Sequence, residues 1–259
     1  MIYSRFWHRF LYDIGVVNTP EPYAKRSAQG LILGPDGTKM SKSKGNVVDP
    51  LDVADKYGAD TLRTYILFMG DYGASTPWNE NSDRGCKRFL DRVYRIFEKV
   101  TDENLHSLDN PLHKAIKKVS EDIEAMKFNT AIATLMALIN DVADHKSISR
   151  KELATFLILL NPFAPHITEE IWEEQNFGGM LNQQSWPEYD EAKCVDATVE
   201  IAVQISGKIK ARINVPTDAT KEQLLAAAKE NGVIASILEG KTIVKEIVVP
   251  GKLVNIVAK

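Results

Sequence analysis

Leu31-Ile32-Leu33-Gly34-Pro35-Asp36-Gly37-Thr38-Lys39-Met40-Ser41-Lys42-Ser43-Lys44-Gly45-Asn46 anchors the reading of this 259-residue chain. The three apolar residues predict a short strand, and Gly34-Pro35-Asp36-Gly37 predicts the turn that ends it. Beyond the turn, Lys39, Lys42 and Lys44 stand beside the hydroxyls of Ser41 and Ser43 in a loop bounded by Gly34, Gly37 and Gly45. Glycines permit unusual dihedrals and motion, lysines neutralise charge, and hydroxyls add hydrogen bonds. Such a loop can close over a phosphate chain. At about 4 Å and an effective dielectric near 20, one ammonium and one phosphate charge attract by about 4 kcal/mol before desolvation is subtracted. The attraction raises a rate only where negative charge grows toward the transition state, as it does on departing pyrophosphate. The same composition also describes a flexible, solvated basic loop.

Upstream, Phe6, Phe10, Leu11 and Ile14 at helical spacing predict a helix over 2–13 closed by Gly15, and Val16 to Tyr23 reads as a connector. Downstream, Asp49-Pro50 reads as a cap with proline at the first helical position, Gly58 ends that helix, and 59–69 form another. From Cys86 the apolar residues Phe89, Leu90, Val93, Ile96, Phe97 and Val100 keep a helical period. Further helices are expected near 111–126, 129–145, 151–160 and 165–175, the third opened by a Ser149/Glu152 capping box and stopped by Asn161-Pro162. This middle region reads as an all-helical bundle ending in a linker near Trp186-Pro187. Alternation then takes over: Val199, Ile201, Val203 and Ile205, a turn at Ser206-Gly207-Lys208, then Ile209, Ala211, Ile213 and Val215, which is a hairpin. Thr220 with Gln223 caps a helix ended by Gly232, and strands at 242–249 and 252–257 flank Pro250-Gly251, so the tail is a small α+β domain.

Composition narrows the classes. Hydrophobic residues at 44% and charged residues at 26% exclude a disordered or collagen-like chain. No run reaches the roughly 18 apolar residues of a membrane span, and the start lacks a secretory signal, so a cytoplasmic chain is expected, with no membrane partner. Cys86 and Cys194 have no CxxC partner and read as packed thiols. Residues 1–60 hold eight Lys/Arg against seven Asp/Glu, 61–192 fourteen against twenty-one, and 193–259 ten against seven. A polyanion is repelled by much of the middle and tolerated at the ends, so any nucleic-acid contact must be local.

Lys39-Met40-Ser41-Lys42-Ser43 is the KMSKS signature of class I aminoacyl-tRNA synthetases, placed after a strand and before a helix. Tyr3-Ser4-Arg5-Phe6-Trp7-His8, Asn46-Val47-Val48-Asp49-Pro50, Tyr57-Gly58-Ala59-Asp60-Thr61-Leu62-Arg63, Arg88-Phe89-Leu90-Asp91-Arg92-Val93, Asn161-Pro162-Phe163-Ala164-Pro165-His166 and Val249-Pro250-Gly251-Lys252-Leu253 resemble, in order, the bacterial leucyl-tRNA synthetase family. The resemblance covers essentially the whole chain and implies a multi-domain α and α+β architecture. Residues 1–70 resemble the end of a Rossmann-like catalytic domain with its KMSKS loop, 71–190 an anticodon-binding helical bundle, and 197–259 a small C-terminal domain that touches tRNA.

The implied activity is ATP-dependent activation of leucine and its transfer to tRNA(Leu), with Mg2+ accompanying the nucleotide. By the same resemblance Lys42 is the catalytic residue, Lys39, Met40, Ser41, Lys42 and Ser43 bind ATP, and Lys208, Lys210, Arg212, Lys245 and Lys252 are candidate tRNA contacts. No HIGH-type tetrapeptide is present, and the family's leucine pocket and editing domain precede the matching region. The chain alone is therefore expected to be inactive and to need an N-terminal half or subunit. The rival readings are a non-catalytic tRNA-binding or assembly module, and a sibling enzyme for isoleucine, valine or methionine.

Other signals read as decoys. Gly240-Lys241-Thr242 lacks the first glycine of a P-loop, since Ala235 stands there. His8, His106, His113 and His145 are too scattered for a metal site, and no metal ligand is assigned. Trp78, Trp172 and Trp186 are read as core residues before base-stacking ones.

Overall fold

The structure, a computed structural model, describes residues 1–103, 108–145 and 147–258. His106 lies outside the described residues. Two compact units form: Met1–Leu105 with Lys118–Pro187, and His106–Lys117 with Glu188–Lys259.

The first unit opens with α1 (Ile2–Asp13), which ends where Gly15 turns to φ +76°. No residue of α1 is buried; Phe6 is 76% and Trp7 61% exposed. Arg5 forks onto Glu21 at 2.7 and 2.8 Å and His8 Nε2 lies 2.8 Å from the Thr19 carbonyl, which ties α1 to the connector behind it. Next come β1 (Ile32–Leu33), α2 (Pro50–Tyr57), α3 (Ala59–Phe68), β2 (Thr76–Pro77) and α4 (Glu80–Ile96). β1 and β2 pair in parallel. The Asp49 carboxylate caps α2 by accepting the Leu51 N–H, and Gly58 at φ +94° ends it. Val53, Tyr65, Trp78 and Cys86 form the local core, with Tyr65 edge-on to Trp78 at 4.8 Å and with Met40 and Val48 packed against them.

α3 packs on α2, α4, α6 and α8, and so carries the strand-and-loop segment into the bundle. The bundle's remaining elements are β3 (Val100–Thr101), the part of α5 (Asp109–Glu124) from Lys118 on, α6 (Phe128–Asp144), β4 (Ile148–Ser149), α7 (Arg150–Leu160) and α8 (Pro165–Glu174). The expected Ser149/Glu152 capping box opens α7, and Leu153, Phe156, Leu157 and Leu160 bury its inner face. Two corrections apply. The region is not all-helical, since β3 and β4 pair in parallel for two residues. Trp186 is 39% exposed and donates Nε1–H to Ser120 Oγ at 2.8 Å, so its indole holds a polar partner at the surface instead of packing inside.

In the second unit β5 (Thr198–Ile205), β6 (Lys208–Pro216), α9 (Lys221–Glu230), α10 (Gly232–Leu238), β7 (Ile243–Val249) and β8 (Leu253–Ala258) form a four-stranded sheet of order β6-β5-β8-β7 with two helices on one face. β5 and β8 run parallel and the outer pairs antiparallel. Ile201, Val203, Val215, Leu224, Ala228, Ile234, Val254 and Ile256 make the core. Ser206 at φ +48° and Gly207 at φ +83° supply the two left-handed residues of a tight hairpin turn.

The helix capped by Thr220 stops ahead of Gly232 as expected, at Glu230, but a second helix was not expected: Asn231 Oδ1 accepts from the Val233 and Ile234 N–H groups and starts α10. One expectation fails in this unit. Ile209 does not face the core. Gln204 opposes Ile209 while Val203 opposes Ala211, so Lys210 is an extra residue in the ladder and the bulge throws Ile209 outward, 55% exposed.

Candidate functional site

The loop after β1 is built on itself. Gly34 N–H donates to the Thr38 carbonyl, Gly37 at φ +72° returns its N–H to the Gly34 carbonyl, and a bridge sets Lys39 beside Leu33. Met40 is the one apolar residue here and turns onto the core around Tyr65 and Trp78. Ser41 is extended, Lys42–Lys44 make a single 3-10 turn, and Gly45 at φ +66° closes it. The hydroxyls of Ser41 and Ser43 lie 2.9 Å apart. Lys39, Lys42 and Lys44 are exposed, and none makes an ion pair with another described residue.

Polar bonds hold the base of the loop. Asp36 accepts from the Thr38 N–H at 3.0 Å and Thr38 Oγ1 at 2.8 Å, and Asn46 bridges Asp36, Thr38 and Ser41. These bonds hold the Asp36 carboxyl below the usual carboxylate range, the Thr38 N–H contributing most. The arrangement presents three unneutralised ammonium groups and two hydroxyls on one short, ordered turn, which suits a polyphosphate. Spacing had brought Lys39, Met40, Ser41, Lys42 and Ser43 together, and the structure does too.

Sequence reasoning missed the polar contacts that tie α3 to α8. Asp60, in the first turn of α3, is buried; its carboxylate accepts the Ile167 N–H at 2.7 Å and faces His166 Nδ1 at 2.7 Å, at the N-terminal turn of α8. Arg63 Nη2 adds a bond to the Pro162 carbonyl at 3.3 Å. Among the described residues no group of three His, Cys, Asp or Glu could hold a metal. His8, His113, His145 and His166 each make separate local bonds.

The five C-terminal candidates do not form one patch, though all are exposed. Lys208 flanks the hairpin turn opposite Ile205, Lys210 sits at the bulge, and Arg212 is paired with Glu200 at 2.7 Å. Lys245 lies on β7, the opposite edge strand, three strand spacings or about 14 Å away. Lys252 belongs to the β7–β8 turn.

Residues 3–79 match the family model described as tRNA synthetases class I (I, L, M and V), and residues 107–225 the model for the anticodon-binding domain of tRNA ligase. A leucine–tRNA ligase of Alkaliphilus oremlandii (strain OhILAs) is 50% identical over 261 residues, which take in all of this chain and 32% of that protein. A crystal structure of the ternary complex of Agrobacterium radiobacter K84 LeuRS with tRNA and LeuAMS is 29% identical with a TM-score of 0.70, covering all of this chain and 36% of that one. The chain thus spans about a third of the length of the relatives it matches.

Proposed function

Because this chain belongs to the class I tRNA synthetases and is homologous to leucine–tRNA ligase, we propose that it is the C-terminal portion of such a ligase, activating leucine with ATP and passing it to tRNA(Leu) only together with an upstream catalytic half. Two features support the need for that half. The chain matches a third of its relatives' length, and α1 carries Phe6, Trp7 and Phe10, with Ile14 just past its end, exposed to solvent, an arrangement that costs free energy until another surface covers it.

The observation that carries the reading is the Lys42–Lys44 turn, whose ammonium groups make no ion pair with another described residue. In this reading Lys42 faces the pyrophosphate side of ATP, and its charge counts most as the leaving group gains charge. Lys39, Ser41 and Ser43 hold the phosphates and Met40 pins the loop to the core. Mg2+, if carried, arrives with the nucleotide. Residues 1–70 serve as the end of the catalytic domain, 71–190 as the anticodon-binding bundle and 197–259 as a tRNA-contacting domain in which Lys208, Lys210, Arg212, Lys245 and Lys252 meet phosphates.

The test is Lys42→Ala in the ligase assembled from this chain and the upstream half. Leucine-dependent ATP–pyrophosphate exchange should fall by about 10²–10³-fold, the scale for removing one charge-stabilising donor, while urea unfolding stays at the wild-type midpoint. An undiminished exchange rate sinks the assignment.

A further inference from the structure

Asn46 follows the lysine-bearing turn and uses its whole carboxamide on the loop that contains it. Its Oδ1 accepts the Ser41 N–H at 2.8 Å. Its Nδ2 faces Asp36 Oδ1 and Oδ2 at 3.2 and 3.3 Å, Thr38 Oγ1 at 3.0 Å and the Lys39 carbonyl at 3.4 Å. Ser41 opens the 3-10 turn and Gly45 closes it, so one side chain reaches from just past the end of the turn back to its start. The contacts sit directly on Gly34. A Cβ there would lie 2.8 Å from Asp36 Oδ1 and 2.9 Å from Asn46 Nδ2, so a side chain at 34 would have to displace the Asp36–Asn46 contact.

We propose that Asn46, clasped to Asp36 across the base of the loop, is a positioning residue that fixes the backbone of the Ser41–Lys44 turn and through it the placement of Lys42. The inference rests on the reading of Lys42 given above. Lys42 itself makes no ion pair with another described residue, so its placement depends on the backbone that carries it. A turn already ordered before the nucleotide arrives need not be ordered during the reaction. The clasp needs a donor at 46 and an acceptor at 36. The Asp36 carboxyl, held ionised by Thr38 and Asn46, supplies the acceptor. Alanine at 46 leaves the Ser41 N–H without its partner; aspartate sets a second carboxylate against Asp36 and repels it. Exchanging the two side chains restores one donor facing one acceptor: a carboxamide at position 36 donates to a carboxylate at position 46, and that carboxylate still accepts the Ser41 N–H.

The experiment compares wild type, Asn46→Asp, Asp36→Asn, the double exchange Asp36→Asn/Asn46→Asp, and Lys42→Ala in the assembled ligase, reading hydrogen exchange of the 38–46 peptide and ATP–pyrophosphate exchange. Asn46→Asp should speed hydrogen exchange in the peptide at least about 10-fold and lower kcat for pyrophosphate exchange at least about 10-fold, with the KM for leucine unchanged. The double exchange should recover most of both. A loop whose exchange rate ignores Asn46→Asp, or a double variant no better than the single one, overturns the clasp. Should Lys42→Ala impair the reaction while Asn46→Asp loosens the loop and leaves kcat intact, the positioning role is overturned and the lysine assignment stands. Should Lys42→Ala leave the reaction untouched, the reading beneath the proposal falls, and the proposal with it.

Discussion

Alanine at Gly30 tests the joint from which the loop springs. An added Cβ would sit 1.8 Å from the Ala74 carbonyl oxygen, 2.2 Å from its carbon and 2.8 Å from the Ser75 nitrogen. Carbon and oxygen need at least about 3.3 Å, so two backbones must part by about 1.5 Å at a place where no flexible side chain can yield. Three bonds cross that gap: Gly30 N–H to the Tyr72 carbonyl at 2.8 Å, Leu31 N–H to Ser75 Oγ at 3.1 Å and Thr76 N–H to the Leu31 carbonyl at 3.0 Å. At about 1 kcal/mol each, losing them costs about 3 kcal/mol, the upper range for overpacking. Gly85, inside α4, offers the opposite case: nothing lies within 4 Å of its added Cβ, and Gly85→Ala should stabilise by about 1 kcal/mol. Urea unfolding followed by tryptophan fluorescence should separate the two variants by about 2 M, taking a slope near 2 kcal/mol per M. A Gly30→Ala protein that unfolds with the wild type would show that β1 and β2 do not meet as described.

Asp60→Ala should destabilise the first unit by about 1–3 kcal/mol, since it strips a buried acceptor from the Ile167 N–H and a partner from His166; Asp60→Asn should cost less, and chemical denaturation of both, with amide exchange at 166–167, checks the order. The Cys86 thiol is pushed up to about 12, by burial first and by Asp83 second. Its raised value adds stability that is complete below the unfolded pKa near 9 and lost as pH rises through about 12. A thiol reagent at pH 9 should therefore find Cys194 alone in the native protein and both cysteines in urea; two native thiols of equal reactivity contradict the burial.

The loop's candidate residues were legible because loop chemistry is local. Glycines, lysines and hydroxyls act where they stand, and Met40 needed only an apolar neighbour. The residues that tie the loop's base together and α3 to α8 were not, because each acts across a distance that periodicity does not encode. Nothing in the spacing of Asp36 and Asn46 says that the chain folds back to join them, and Asp60 meets His166 from more than 100 residues away. β2 escaped because two residues with a proline carry no alternation, and proline is tolerated there because the pairing is an edge. The hairpin was visible but its bulge was not, since inserting Lys210 leaves the apolar alternation intact on paper while it shifts Ile209 to the other face. α1 shows a further limit: its pattern announced a helix, but no pattern says what covers the apolar side.

Charge pairing gives the clasp beneath the loop a second consequence. The chain holds slightly more acid than base, 35 residues against 32, and some of its lysines find carboxylates: Lys87 with Asp91, Lys117 with Glu191 at 2.6 Å, Lys118 with Asp122 at 2.5 Å, Lys193 with Asp109 at 2.8 Å and Lys229 with Glu246 at 2.7 Å. The acids flanking the loop lysines have other partners. Asp36 is taken by Thr38 and Asn46, and Asp49 by the first turn of α2. Neutral donors occupy both carboxylates, and Lys39, Lys42 and Lys44 have no ion pair with another described residue. A carboxylate released from such bonds would need only a flexible lysine within a few ångströms to recruit it, and an exposed pair of that kind, though worth at most about 1 kcal/mol to stability, would cancel one unit of the charge that the proposed phosphate binding needs. In the proposed role, loss of Asn46 thus acts twice, loosening the turn and removing one of the neutral donors on Asp36, whose bonds from Thr38 remain.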